Sequence, residues 1–184
     1  MAEPKGKKTK IVIANWKMNP TSKEKAQDLF SKLKRIAKPL TKTNLIICPP
    51  AVYLGCFKKP EARNIHLGAQ NIFWEHSGSF TGEMSTEMLK NDGVRYVIIG
   101  HSERRKLGET VEMVNKKLLA ALRDGLTAIL CIGEVTRDAS GDYLEFLTNE
   151  IRTALSKVTK QNLEKIIIAY EPVWAIGKSE RDAM

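Results

Sequence analysis

Glu171, in the run Tyr170-Glu171-Pro172-Val173-Trp174-Ala175-Ile176-Gly177, is a carboxylate placed where it could act as a base. It follows Lys165-Ile166-Ile167-Ile168-Ala169, a branched apolar run that reads as a strand buried on both faces. A carboxylate at the carboxyl end of such a strand sits where α/β proteins keep their chemistry. The residues after it suit a mobile lid: Pro172 is stiff, Val173, Trp174 and Ile176 supply apolar cover, and Gly177 can absorb a backbone swing. Two other polar groups occupy the same kind of place. Asn15-Trp16-Lys17-Met18-Asn19 follows the apolar run Ile11-Val12-Ile13-Ala14, and His101-Ser102-Glu103-Arg104-Arg105 follows Tyr96-Val97-Ile98-Ile99-Gly100. A lysine, a histidine and a glutamate at the ends of three strands can converge on one small anionic substrate.

Each of these residues also has an ordinary reading. A glutamate before proline is more often a turn residue or a charge at a helix start. Most lone histidines are structural or exposed, and His66 and His76 are left in that class. His101 differs: Gly100 gives close backbone access, and a helix starting just after it disfavours the imidazolium and keeps the ring a neutral donor. Lys17 alone reads as a solvated loop lysine. Arg104 and Arg105 read as structural ion-pairing groups, and Cys131 as packing rather than nucleophile.

The elements that must hold these groups alternate in the sequence. Strands are predicted to begin near Ile11, Leu45, Ile65, Tyr96, Thr127 and Ile166. Between them, Ala26, Leu29, Phe30, Leu33, Ile36 and Ala37 follow one helix face. Val111, Val114, Leu118, Ala121 and Leu122 do the same, as do Leu144, Leu147, Ile151, Ala154, Leu155 and Val158. A period of about thirty residues gives one βα unit per repeat, hence right-handed crossovers and a parallel sheet. This pattern by itself allows an open doubly wound sheet as well as a barrel. The segment 68–83, running from Gly68 to Glu83, reads as a long functional loop.

The bulk properties set limits on this picture. The 184 residues suit one domain, 42% are hydrophobic and 28% charged, and the net charge is +9. The lysines spread over helix faces and the basic segment 1–8, which is expected to be a disordered tail, without the interleaved aromatics that stack bases. Neither nucleic acid nor a membrane is therefore an expected partner. No apolar stretch approaches the roughly 20 residues of a membrane span, and the start lacks a signal-peptide core, so a cytoplasmic location is expected. Cys48, Cys56 and Cys131 have no metal-ligand spacing and are expected as reduced thiols.

Taken together, the motifs NWKMN, GHSERR and AYEPVWAIG closely resemble the triosephosphate isomerase family over nearly the whole chain. The resemblance implies a TIM (β/α)8 barrel over residues 9–184, in which six of the eight βα units can be counted. The last two units, with their phosphate-binding loops, are expected to be missing. An open barrel of this kind would leave two unpaired edges and an exposed interior. The 184 residues alone are then expected to be poorly soluble and inactive, and the alternative to an enzyme is a catalytically inactive fragment acting as an interaction module.

For the enzyme, the resemblance implies cofactor-free and metal-free interconversion of dihydroxyacetone phosphate and D-glyceraldehyde 3-phosphate, in glycolysis and gluconeogenesis. Glu171 is implied as the base, His101 as the neutral electrophile and Lys17 as the fixed positive charge. That pairing of glutamate with neutral histidine is the one described for the family itself. Asn15, Trp16, Lys17 and Gly177 are implied to bind the substrate, with Ser102 and Glu103 supporting them and Glu103 near the lysine. Phe80-Thr81-Gly82 matches the family's loop tip that enters a second subunit, so a homodimer with Thr81 at its contact is implied. Lys178-Ser179-Glu180 departs from the family's usual lid ending and reads as a variant hinge.

Overall fold

Branched apolar runs become six short strands, since Val and Ile fit a pleated sheet better than a helix. The computed structural model of the protein describes residues 9–57 and 62–177. The expected basic tail 1–8 and the hinge residues 178–180 lie outside the described residues. The strands are β1 (Lys10–Asn15), β2 (Thr43–Cys48), β3 (Ile65–Ala69), β4 (Val94–Ile99), β5 (Thr127–Ile132) and β6 (Ile166–Tyr170). Each begins within two residues of its predicted start. The helices are α1 (Lys23–Ala37), α2 (Thr86–Asn91), α3 (Ser102–Lys106), α4 (Val111–Arg123) and α5 (Asp142–Ala154). The sheet order is β1-β2-β3-β4-β5-β6. Parallel registers run Ile11↔Asn44 for β1 with β2, Ile46↔His66 for β2 with β3, Ala69↔Val97 for β3 with β4, and Leu130↔Ile168 for β5 with β6.

The described residues form two compact units. The first runs through Gln70 and resumes over Glu87–Val97; the second comprises Asn71–Thr86 and the chain from Ile98 onward. In the first, Ile46, Ile47 and Cys48 on β2 are fully buried, as is Ala26 of α1. Phe30 of α1 stacks on Phe57 at 4.3 Å. Ser22 caps the start of α1, accepting from the Lys25 N–H at 3.3 Å. Asn64 closes its other end by donating to the carbonyls of Ala37 and Leu40 at 2.8 and 3.1 Å.

In the second unit, Val114, Leu118 and Ala121 on the predicted face of α4 are fully buried. Thr110 caps this helix at the Met113 N–H. Asn115 of α4 donates at 2.8 Å to the carbonyls of both Ala154 and Ser156, satisfying the end of α5. Lys117, also on α4, is buried in an ion pair with Glu109 and donates to Asn71 Oδ1 at 2.7 Å. That pair ties α4 to the segment after β3. His66 packs against Tyr96, and His76 lies 3.8 Å from Asp124.

Four readings change. The run 165–169 is not buried on both faces, because Ile168 is 47% exposed, and in the run 11–14 Ile11 and Val12 are 48% and 49% exposed. β1 and β6 end the sheet order, so among the described residues each pairs on one side only. The periodic face of α5 overreaches: the helix stops at Ala154, Lys157 takes a left-handed φ of 63°, and Leu144 is exposed. Between β2 and β3 the described residues hold a 3₁₀ turn at Ala51–Cys56 instead of an amphipathic helix. Gly68 and Ala69 belong to β3, so the long loop starts at Gln70.

Candidate active site

In the first unit, the chain leaves β1 through a turn fixed from several directions. Trp16 N–H donates to Cys48 O at 3.0 Å, and Lys17 N–H donates to Asn15 Oδ1 at 3.0 Å. Gln70 bridges the turn to β2, donating at 2.9 Å to Lys17 O and at 2.8 Å to Cys48 O. The Trp16 ring meets Phe57 edge-on at 5.9 Å. Held this way, Lys17 adopts φ 52°, a left-handed conformation uncommon for a side chain of its kind. Asn15, Trp16 and Lys17 are thus brought together, and Gln70 is a supporting residue that the sequence reading did not single out.

In the second unit, His101 is the N-cap of α3, and its Nδ1 accepts the Glu103 N–H at 3.2 Å. Accepting that N–H leaves Nε2 as the ring nitrogen placed to donate. Nε2 lies 3.4 Å from Glu171 Oε1, and the second carboxylate oxygen accepts the Ser102 N–H at 3.3 Å. The Glu103 carboxylate lies 3.8 Å from His101 Nδ1. His101, Ser102, Glu103 and Glu171 are thus one cluster. It pairs a carboxylate with an imidazole N–H, an arrangement able to move a proton at a carbon beside a carbonyl.

The backbone under Glu171 is fixed by β5. Its N–H donates to Ile132 O at 2.8 Å, and Val173 N–H donates to Glu134 O at 3.0 Å. A Cβ at Gly133 would overlap the Glu171 carbonyl oxygen and come within 2.7 Å of its carbon. Only glycine fits there. Gly100, at φ 75°, ends β4, and its carbonyl accepts from Arg105 Nε at 2.8 Å. Arg105 also pairs with buried Glu150 at 2.8 Å, and Glu150 accepts the Gly133 N–H at 3.1 Å. Burial pushes the Glu150 carboxyl up, against the opposing pull of Arg105 and the Gly133 N–H. Arg105 is therefore an ion-pairing scaffold, as expected. Cys131 is buried, and burial with the nearby Glu171 charge pushes its thiol up to about 12, so it stays unreactive at neutral pH.

The segment after β6 is anchored by Glu134, whose side chain is 2% exposed. Trp174 Nε1 donates to Glu134 Oε1 at 2.7 Å, and the Tyr170 hydroxyl donates to the same oxygen at 2.8 Å. Burial pushes the Glu134 carboxyl up. The hydrogen bonds from Trp174, its own backbone N–H and Tyr170, with the Arg137 charge, outweigh this and hold it below the usual range. The sequence reading missed Glu134 as an anchor, although it stands just past the carboxyl end of β5, as Glu171 does for β6. Gly177, at φ 76°, is the last described residue of this segment. Thr81 is exposed at the tip of the loop after β3, where Phe73 packs on Trp74 at 4.1 Å and on Phe80 at 4.6 Å.

Comparison with known proteins agrees with these motifs. The family model described as triosephosphate isomerase matches residues 10–182. The triosephosphate isomerase of Lactobacillus delbrueckii subsp. bulgaricus is 45% identical over 174 residues, covering 92% of this chain and 68% of that protein. The triosephosphate isomerase of Clostridium botulinum (strain ATCC 19397 / Type A) is 44% identical over 173 residues, covering 92% of this chain and 69% of its own length.

Proposed function

The chain belongs to the triosephosphate isomerase family, and on that premise we propose that it interconverts dihydroxyacetone phosphate and D-glyceraldehyde 3-phosphate. Glu171 takes the proton from the carbon beside the carbonyl and returns it to the neighbouring carbon. His101 polarises the carbonyl through its Nε2–H and stabilises the enediolate as a neutral donor. Lys17 supplies positive charge against the enediolate and the phosphate, with Asn15 holding its turn and Trp16 braced against Phe57 beside it. Ser102 holds the Glu171 carboxylate between turnovers. Gly177 presents its backbone N–H to the phosphate when the lid closes, and closure strengthens the carboxylate by removing water.

The observation that carries this reading is the Glu171–His101 pair, a carboxylate 3.4 Å from an imidazole nitrogen whose partner nitrogen is occupied by a backbone N–H. The reaction moves hydrogen between two adjacent carbons of one molecule with no net redox change, and on this reading Glu171, His101 and Lys17 carry it without cofactor or metal. It serves glycolysis and gluconeogenesis in the cytoplasm, binding neither nucleic acid nor membrane. Among the described residues no helix is long and apolar enough to cross a membrane. We further propose a homodimer that uses the loop around Thr81, supported by the 43% exposure of Phe80 beside it.

The test is to supply the full-length protein with dihydroxyacetone phosphate in D2O and follow both trioses. Formation of glyceraldehyde 3-phosphate carrying carbon-bound deuterium is the expected result. Absence of interconversion overturns the assignment.

A further inference from the structure

We infer that Arg137, in the loop between β5 and α5, is a positioning residue that sets how readily the lid leaves its anchored position. The inference rests on the isomerase reading for its kinetic consequence but on geometry for its cause. Arg137 faces three groups. Its Nε lies 3.7 Å from Glu134 Oε1, the same oxygen that receives the Trp174 indole N–H. Its guanidinium lies over the Trp174 ring at 5.3 Å from the centroid and over the Tyr143 ring at 4.6 Å. Tyr143 belongs to the first turn of α5, where Asp138 accepts the backbone N–H groups of Asp142 and Tyr143 at 2.9 and 3.1 Å. A planar cation thus links a fixed helix start to the lid's largest side chain.

Trp174 is fixed at two points in this position: its edge bonds Glu134 and its face meets Arg137. When the lid moves, both contacts are lost. Removing Arg137 weakens the anchored position, because its ion-pair and ring contacts run to Glu134, Trp174 and Tyr143. The apparent dissociation constant is the intrinsic one divided by the fraction of protein in the binding-competent state. A weaker anchor therefore raises that fraction and lowers KM.

The experiment measures acrylamide quenching and steady-state kinetics on the full-length protein, Arg137→Ala, Arg137→Lys and Arg137→Met. The Trp174 contribution to emission is assigned by difference from Trp174→Phe. Arg137→Ala and Arg137→Met are expected to raise quenching of Trp174 about twofold and to lower KM about two- to fivefold, without raising kcat. Arg137→Lys, which keeps charge near Glu134 but loses the planar face, is expected to fall between them and the unmodified protein. A purely structural role would lower Tm and leave both readouts unchanged, and that result overturns the inference, as would a higher KM. If the unmodified protein has no isomerase turnover, the functional reading fails, while the quenching comparison still decides the role of Arg137.

Discussion

At the scale of single residues, the site depends on how one carboxylate is aimed. Glu171 takes its direction from its neighbours in the second unit: Ser102 and His101 hold its oxygens, while Ile132 and the bare α-carbon of Gly133 hold its backbone. Gly133→Ala therefore places a methyl group where the Glu171 carbonyl stands and must push the base away from His101. A displacement of about 1 Å costs roughly 100-fold in catalysis, and kcat/KM of this variant is expected to fall by that order with the protein still folded. The places of Glu171, His101 and Lys17 just after strands were legible because each follows a branched apolar run, while their proposed roles came from the resemblance carried by the motifs around them. Gln70 and Glu134 were not. Gln70 acts on Lys17 from 53 residues away and Glu134 on Tyr170 from 36, and no local spacing encodes such a meeting.

At the scale of elements, the same distinction holds between what is local and what packing decides. Strand starts were legible from branched runs, and the buried face of α4 was legible from its period of 3.6. The face of α5 was legible only in part: the left-handed Lys157 ends the apolar pattern before Val158, and Asn115 of another helix completes the last turn. The burial of Lys117 could not be read at all, since a lysine among apolar helix positions looks like a solvated edge. Paired with Glu109 and hydrogen-bonded to Asn71, it joins α4 to the segment that leads into the Thr81 loop. Lys117→Ala leaves the Glu109 carboxylate buried and unpaired, a change that costs about 3–5 kcal/mol. Urea unfolding is expected to show that loss as a lower midpoint with the slope unchanged.

At the scale of the whole molecule, six parallel strands in chain order and membership of the triosephosphate isomerase family point to the TIM-barrel fold, of which the described residues hold six strands. Periodicity alone did not separate that barrel from an open doubly wound sheet; the motifs did. The exposure of β1 and β6 was implied by the strand count, yet the apolar sequences of both strands hid it, because composition records what a strand would bury and not whether a neighbour is there. The family relation favours an enzyme over an inactive interaction module, and the central claim is that Glu171 is its base. The most direct test is the turnover of dihydroxyacetone phosphate by the full-length protein beside its Glu171→Ala variant. Loss of a positioned general base costs roughly 10²–10⁴-fold, and a fall in kcat of that size with an unchanged unfolding midpoint is the predicted result. Turnover within tenfold of the unmodified protein would contradict the assignment of Glu171.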